Sequence, residues 1–287
     1  MQHNPRVTTV VDDVSLSSVS VGRGVPVIYL HGALTTLDEG LIGLGATLAP
    51  HHRVTAFDRP GHGESGSGIG TGSAWRQAEL IHAAVEAMGI VRPVVVGHSF
   101  GVAVATAYAL QFPEDVVGVV ALAPIAFPEP RLEQMMFGLR AIPGSGPWLN
   151  EMSALWDRVA MPMLWNGMFL PQQITSAFKA EFPFEMSVRR SQLRADGEEA
   201  LMMGADLARS ALAYAGARVP LRVLQGDRDA VANPMRHGRP LSFLWPDSAF
   251  VSLPGLGHMA HHFAPETVLA AVAAVSTARS NVLPVAA

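Results

Sequence analysis

Short apolar runs alternate with longer amphipathic stretches along most of the chain. Six runs rich in β-branched residues, each bounded by Gly, Pro or Asp, predict buried parallel strands at residues 25–30, 53–57, 93–96, 116–122, 221–224 and 249–253. Apolar stripes at helical spacing predict three helices: Leu37, Leu41, Leu44 and Leu48; Ile81, Ala84, Val85 and Met88, ended by Gly89; and Val268, Val272 and Val275, after Pro265. This alternation predicts an α/β fold, with a mostly parallel central sheet flanked by helices.

The alternation stops between residues 128 and 216. This stretch holds nine of the 13 methionines and three of the five tryptophans, Trp148, Trp156 and Trp165. We predict that it is a helical cap inserted into a core formed by residues 1–127 and 217–287. Because Met adapts to irregular packing, most of these methionines are expected to fill gaps, while the rest line an apolar cavity over the sheet. The tryptophans are expected to line this cavity in part, and the alternative for one or more of them is a core position with a locally satisfied indole N–H.

The amino-acid composition and the net charge limit the kinds of molecule that this protein is expected to bind. With 287 residues, 49% of them hydrophobic, the chain can bury a large core. A formal net charge of −4 offers no basic face to nucleic acid or to a membrane surface, so a small neutral molecule is the expected partner. No apolar run is long enough for a signal peptide or a membrane span, and the predicted location is therefore cytoplasmic. The oligomeric state does not follow from the sequence.

The stretch GHSFG, residues 97–101, joins a predicted strand to a helical run of small residues. A serine on such a sharp turn exposes its Oγ, while the helix N-terminus points amide groups at developing negative charge. Gly97 and Gly101 flank Ser99 at the two places where a side chain would collide with a neighbouring element. We therefore interpret Ser99 as a nucleophile.

A serine nucleophile needs a base, and the base needs an acid to orient it. Asp227 and Asp229 directly follow one late strand, and His258 directly follows the last one. Because ligand chemistry in open parallel sheets gathers beyond the carboxyl ends of the strands, these side chains are expected to converge on Ser99. The pattern alone leaves either aspartate as the acid.

Other chemistries are not expected. His258, His261 and His262 lie close in sequence, but no Glu or Asp lies among them as in zinc-protease helices, so no metal site is predicted. The glycine-rich residues 61–72 depart from G-x-G-x-x-G and predict a flexible loop without a nucleotide. The absence of cysteine excludes disulfides and a thiolate nucleophile. No organic cofactor is predicted.

Five stretches in order make the chain similar to the α/β-hydrolases. The first two stretches resemble the family's oxyanion strand and loop, VIYLHGAL, and the loop after its next strand, VTAFDRPGHGES. The other three resemble the nucleophile elbow, GHSFG, the acid loop, GDRDAV, and the histidine loop, GLGHMA. The resemblance implies Ser99 as nucleophile and His258 as base. It favours Asp229 as the acid, three residues after Gly226, and leaves Asp227 as a turn residue. It implies that the backbone N–H groups of Ala33 and Phe100 form the oxyanion hole.

The resemblance also implies roles for the other histidines and a class of reaction. His31, His62 and His98 are expected to shape loops. Epoxide hydrolases and haloalkane dehalogenases of this fold attack through an aspartate at the elbow, where this chain has Ser99. The expected activity is hydrolysis of a small, largely apolar carboxylic ester through an acyl-enzyme, with a lactone or thioester also open. A carbon–carbon bond hydrolase and a receptor-like protein that binds a ligand with little turnover remain alternatives.

Overall fold

The computed structural model describes residues 5–131, 134 and 136–280, and its centre is one eight-stranded sheet. The strands are β1 (Val7–Val11), β2 (Val14–Val21), β3 (Val25–Leu30), β4 (His52–Phe57), β5 (Val94–His98), β6 (Gly118–Leu122), β7 (Leu221–Gly226) and β8 (Ser248–Leu253). Their spatial order is β1-β2-β4-β3-β5-β6-β7-β8, and β3 to β8 run parallel. The predicted α/β architecture is confirmed.

The two ends of the sheet differ from the prediction. The sequence predicted neither β1 nor β2, which pair antiparallel to each other, while β2 pairs antiparallel to β4. The last strand, β8, was predicted to be buried, but it is the outer strand and most of its side chains are partly or fully exposed. The central strands β5 and β6 are buried throughout, because helices cover both of their faces.

The described helices are α1 (Leu37–Leu48), α2 (Ala74–Ala87), α3 (Phe100–Gln111), α4 (Ser145–Phe169), α5 (Ser176–Glu181), α6 (Phe184–Ser187), α7 (Arg190–Ala213), α8 (Gly238–Leu244) and α9 (Pro265–Ser280). The core on one face of the sheet includes side chains of α2, α3 and α8, and the core on the other face includes those of α1 and α9. The three helical stripes therefore lie in α1, α2 and α9, as predicted.

The methionine-rich residues 128–216, which we call the cap segment, lie between β6 and β7 and contain α4 to α7. A third apolar cluster joins them to the core, and it includes Leu34 from the loop after β3 and Met259 next to the histidine loop. The division into a core and a cap domain stays a prediction. Within the described part of the chain, no helix has the length and apolarity needed to cross a membrane.

Candidate active site

Ser99 stands at the turn between β5 and α3, with φ 53° and ψ −119°. Its backbone N–H donates to the carbonyl of Leu122 on β6 at 2.9 Å, which fixes the turn against the sheet. A Cβ atom on Gly97 would lie 2.5 Å from the carbonyl oxygen of Gly101, and one on Gly101 would collide with the carbonyl oxygen of Leu30. Both glycines therefore permit the close approach of strand and helix that the motif requires.

Asp229 and His258 meet although they come from different loops. His258 Nδ1 lies 3.1 Å from Asp229 Oδ1 and 3.0 Å from Asp229 Oδ2, and both side chains are buried. The two loops touch at Gly226, where a Cβ atom would collide with the carbonyl oxygen of Leu256. The absence of a side chain at Gly226 therefore allows the two loops to approach closely enough for Asp229 to contact His258.

The Asp229 carboxylate is held by three further groups, two from its own loop and one from the end of β7. Its Oδ1 accepts from the backbone N–H groups of Val231 and Ala232, each at 2.9 Å, and its Oδ2 accepts from Gln225 Nε2 at 3.1 Å. Burial alone would raise the pKa of Asp229, but the His258 imidazole and these hydrogen bonds outweigh burial and lower that pKa below its ordinary value. The carboxylate is therefore ionised at neutral pH.

Asp227 is placed differently. It is exposed, and its Oδ1 accepts from the backbone N–H of Gly255 at 2.7 Å, which ties the end of β7 to the turn after β8. No hydrogen bond or ion pair to His258 is recorded for it among the described residues. The geometry therefore favours Asp229 over Asp227 as the partner of His258.

One cavity of about 530 Å³ brings the other candidate residues together. Ser99 and His258 line it, and so do Ala33 and Phe100, whose backbone N–H groups are the predicted oxyanion donors. His258 Nε2 is buried and has no hydrogen-bond partner among the described residues. An imidazole whose Nδ1 is held by a carboxylate and whose Nε2 is unpartnered, in a cavity that a serine also lines, is suited to accept a proton.

The wall of this cavity is mostly apolar and comes largely from the cap segment. Four methionines line it: Met136, Met163, Met168 and Met203. Among the described residues no tryptophan lines it: Trp148 and Trp156 are exposed, while Trp165 is buried in the third apolar cluster. The prediction of a methionine-lined cavity agrees with this wall, and the prediction that tryptophan also lines the cavity was wrong. Trp165 takes the alternative position in the core, where its indole N–H has a backbone partner.

Two acidic residues of α7 also reach the cavity, and sequence reasoning missed both. Glu199 forms a buried ion pair with Arg59, and His62 Nε2 lies 3.3 Å from Asp196 Oδ1. Burial alone would lower the pKa of His62, but Glu199 and Asp196 outweigh it and raise that pKa. The signal available was the i, i+3 spacing of Asp196 and Glu199 beside apolar Ala195, Ala200 and Met203, which places two charges on a buried helix face.

A second buried cluster lies behind His258. Glu39 on α1 accepts hydrogen bonds from Tyr29 and His261, and His98 Nδ1 lies 3.6 Å from its carboxylate. The absence of a neighbouring acid in sequence was the reason for predicting no metal near His261, yet the fold brings Glu39 there from 222 residues away. The ligand atoms of Glu39, His98 and His261 lie within 4.8 Å of one another, and Glu39 and His261 are joined by a direct hydrogen bond.

The buried histidines predict a loss of stability in mild acid. Burial lowers the pKa of His31 and His98 well below the ordinary value of about 6.5, so the unfolded chain binds protons there that the folded chain does not. Their stabilisation is full above about pH 6.5 and is lost as the pH falls towards their folded pKa values, at about 1.4 kcal/mol per pH unit for each group. The raised pKa of His62 acts in the opposite direction: its stabilising contribution is full below about pH 6.5 and declines as the pH rises above that value, so it offsets only part of the effect of the two lowered groups. Thermal unfolding between about pH 7 and about pH 5 should show a falling midpoint.

A control separates this effect from general acid sensitivity. The variant His51→Gln changes an exposed histidine and should keep the same pH slope. A midpoint that rises on acidification would contradict the assignment of His31 and His98 as neutral buried groups.

The comparisons with known proteins agree with this architecture. Residues 25–265 match the sequence profile of the family described as alpha/beta hydrolase fold. The dihydrolipoyllysine-residue acetyltransferase component of the acetoin cleaving system of Pseudomonas putida is 28% identical over 246 residues, which cover 85% of this chain and 61% of the relative. The chain spans less than two thirds of the length of the curated relatives that it matches.

Two solved structures share the fold over nearly their whole length. A thermophilic esterase from Thermogutta terrifontis has a TM-score of 0.73 at 20% identity, covering 96% of this chain and 99% of the esterase. Cfl2 from Burkholderia cenocepacia has a TM-score of 0.74 at 18% identity, covering 92% of each chain. At these identities the likeness establishes the fold alone.

Proposed function

Because the chain belongs to the alpha/beta hydrolase fold family, we propose that it is a serine hydrolase that cleaves a small, largely apolar carboxylic ester. One observation carries the proposal: Ser99 and His258 face a common cavity, and Asp229 holds the far side of the His258 ring at 3.0 Å. This arrangement supplies a nucleophile, a base and an orienting acid in one place.

The first half of the reaction forms an acyl-enzyme. His258 Nε2 takes the hydroxyl proton of Ser99 as Oγ attacks the ester carbonyl carbon, and Asp229 stabilises the imidazolium that results. The carbonyl oxygen becomes an oxyanion that accepts hydrogen bonds from the backbone N–H groups of Ala33 and Phe100. When the tetrahedral intermediate collapses, the imidazolium returns its proton to the alkoxide, which leaves as the alcohol.

The second half releases the acid. Water attacks the acyl carbon while His258 Nε2 accepts one of its protons, and collapse of the new intermediate returns that proton to Ser99 Oγ. The carboxylic acid leaves and the enzyme is regenerated. Ionised Asp229 keeps the proton on His258 Nδ1 in the resting state, so that Nε2 stays available as the acceptor.

The cavity supports the substrate class. Its described wall is dominated by apolar side chains, including Leu164 and Phe137 as well as the four methionines, and its volume of about 530 Å³ lies in the range of small-molecule sites. Flexible methionines adapt to acyl groups of several shapes. A lactone or thioester presents the same carbonyl to Ser99 and belongs to the same proposal.

The experiment combines active-site labelling with turnover. The purified protein is treated with a fluorophosphonate probe, labelled peptides are identified by mass spectrometry, and p-nitrophenyl esters of short to medium acyl chains are assayed. Ser99 should be labelled and esters should turn over many times. The buried Ser187, which lies outside this cavity, should stay unlabelled.

Two outcomes would contradict the proposal in different ways. A protein whose Ser99 is not labelled and which hydrolyses no ester is not a serine hydrolase. A protein labelled at Ser99 that releases at most one equivalent of product binds its ligand with little turnover, as a receptor-like member of the fold would.

A further inference from the structure

Leu34 adopts an unusual backbone conformation next to a proposed oxyanion donor. Its φ is 60°, in the left-handed region that branched side chains seldom occupy. It directly follows Ala33, whose N–H group is one of the two proposed donors to the oxyanion. A strained residue persists only where its surroundings hold it, so the contacts of Leu34 bear on how Ala33 is presented.

The cap segment holds both backbone polar groups of Leu34. The N–H of Leu34 donates to Asp196 Oδ1 on α7 at 3.0 Å, and its carbonyl accepts from Trp165 Nε1 on α4 at 3.1 Å. Asp196 and Trp165 are both buried. Two helices that lie far along the chain from Leu34 thus each form a hydrogen bond with its backbone.

Thr35, the next residue of this loop, is also held by α7. Gln192 Nε2 on α7 donates to the carbonyl of Thr35 at 2.9 Å, and its Oε1 accepts from the N–H of Gly63 at 2.8 Å. All three side chains belong to the cap segment, and each forms a hydrogen bond with a backbone group of Leu34 or Thr35. The contacts therefore fix the path of the loop.

Asp196 also contacts a buried side chain of the core. His62 lies 3.3 Å from Asp196 and 3.7 Å from Glu199, and Glu199 pairs with Arg59. His62 and Arg59 thus lie against the two carboxylates, and Asp196 has a partner on one side while it accepts from the Leu34 N–H on the other.

We propose that Asp196 and Trp165 are positioning residues that hold Leu34 in the left-handed conformation in which the Ala33 N–H is presented to the oxyanion. The cap segment then contributes to transition-state stabilisation and does more than enclose the substrate. This inference rests on the proposed serine hydrolase activity. It predicts effects on kcat, because the oxyanion is present in the tetrahedral intermediates and the transition states that lead to them, and not in the bound ester.

The test uses variants that remove one hydrogen bond at a time. Trp165→Phe keeps an aromatic ring but loses the N–H donor, Asp196→Ala loses the acceptor, and Asp196→Asn keeps an amide oxygen that can still accept from the Leu34 N–H. For each variant, kcat and KM are measured with one p-nitrophenyl ester. Inhibition by a trifluoromethyl ketone is measured too, because Ser99 adds to it and gives a tetrahedral oxyanion adduct.

Matched controls lie elsewhere in the fold. Buried Trp245 donates from Nε1 to the carbonyl of Val219 at 2.6 Å, so Trp245→Phe removes an equivalent bond away from the cavity. Buried Asp206, on the same helix as Asp196, accepts from the N–H of Ala74 at 2.7 Å, so Asp206→Ala removes an equivalent carboxylate. These two variants show how far kcat changes when a comparable buried hydrogen bond is lost away from the cavity.

Trp165→Phe and Asp196→Ala should lower kcat by about 10- to 100-fold, somewhat less than deletion of an oxyanion donor, with KM changed by no more than about threefold. The affinity for the trifluoromethyl ketone should fall by a similar factor. Asp196→Asn should have a kcat much closer to that of the wild type than Asp196→Ala has, and the two controls should keep the wild-type kcat.

The inference is overturned if kcat of Trp165→Phe matches that of Trp245→Phe, or if only KM changes. If Asp196→Ala does not fold, the comparison of Trp165→Phe with Trp245→Phe decides the question. A wild-type protein without ester hydrolysis contradicts the proposed function itself, whereas an active wild type with unaffected cap variants contradicts only this inference.

Discussion

Replacement of Ser99 by alanine should abolish ester hydrolysis and leave the fold unchanged. Removal of a triad serine lowers kcat by roughly 10⁶-fold, because no other group can form the acyl-enzyme. The Ser99 hydroxyl does not cap α3, and alanine is smaller, so the free energy of unfolding should change by no more than about 1 kcal/mol. Ester assays and thermal unfolding of the purified variant measure the two effects.

Ser187→Ala is the matched control. Ser187 is also a buried serine, its Oγ has no partner among the described residues, and it lies outside the cavity. It should keep the wild-type kcat. If the Ser99→Ala variant retained more than about a tenth of wild-type kcat, Ser99 would not be the nucleophile, because that loss is far below the expected one.

Local signals predicted the central part of the fold. Continuous β-branched runs identify strands that are buried on both faces, and for that reason β3, β5 and β6 were recognised. The same rule failed at the edges. β1 is a continuous β-branched run, VTTVV, yet it is mostly exposed and was not recognised as a strand, and β8 has a strand-like composition although its neighbours leave it open to solvent. Burial depends on position in the sheet, which a single run does not encode.

The candidate site divides in the same way. Ser99, Asp229 and His258 each follow a strand within a short motif, so their placement depended on local sequence and on the common edge where parallel strands end. The contact of Asp196 with Leu34 joins residues 162 positions apart, and that of Glu39 with His261 joins residues 222 apart. Neither pair has a local pattern, because the partner is chosen by how the helices pack. The exposure of Trp148 and Trp156 also could not be predicted from the amino-acid composition of the cap segment.

The two aspartates of the acid loop should respond very differently to the same substitution. Asp229→Asn should lower kcat by about 10⁴-fold, since an amide NH2 facing His258 Nδ1 would favour the tautomer that carries its proton on Nε2. That tautomer cannot accept the Ser99 proton. An asparagine oxygen can still accept from the N–H groups of Val231 and Ala232, so the loop should keep its shape and the variant should fold.

Asp227→Asn is the matched substitution two residues away. The asparagine oxygen can still accept from the Gly255 N–H, and the side chain is exposed, so kcat should change by less than about threefold. Steady-state kinetics of both variants with one ester measure the difference, and thermal unfolding verifies that each is folded. The opposite ranking would move the acid to Asp227 and would mean that the 3.0 Å contact between Asp229 and His258 does not orient the base. Equal and small effects would instead show that His258 acts without a carboxylate partner, because an ionised Asp229 that sets the tautomer cannot be neutralised without loss of rate.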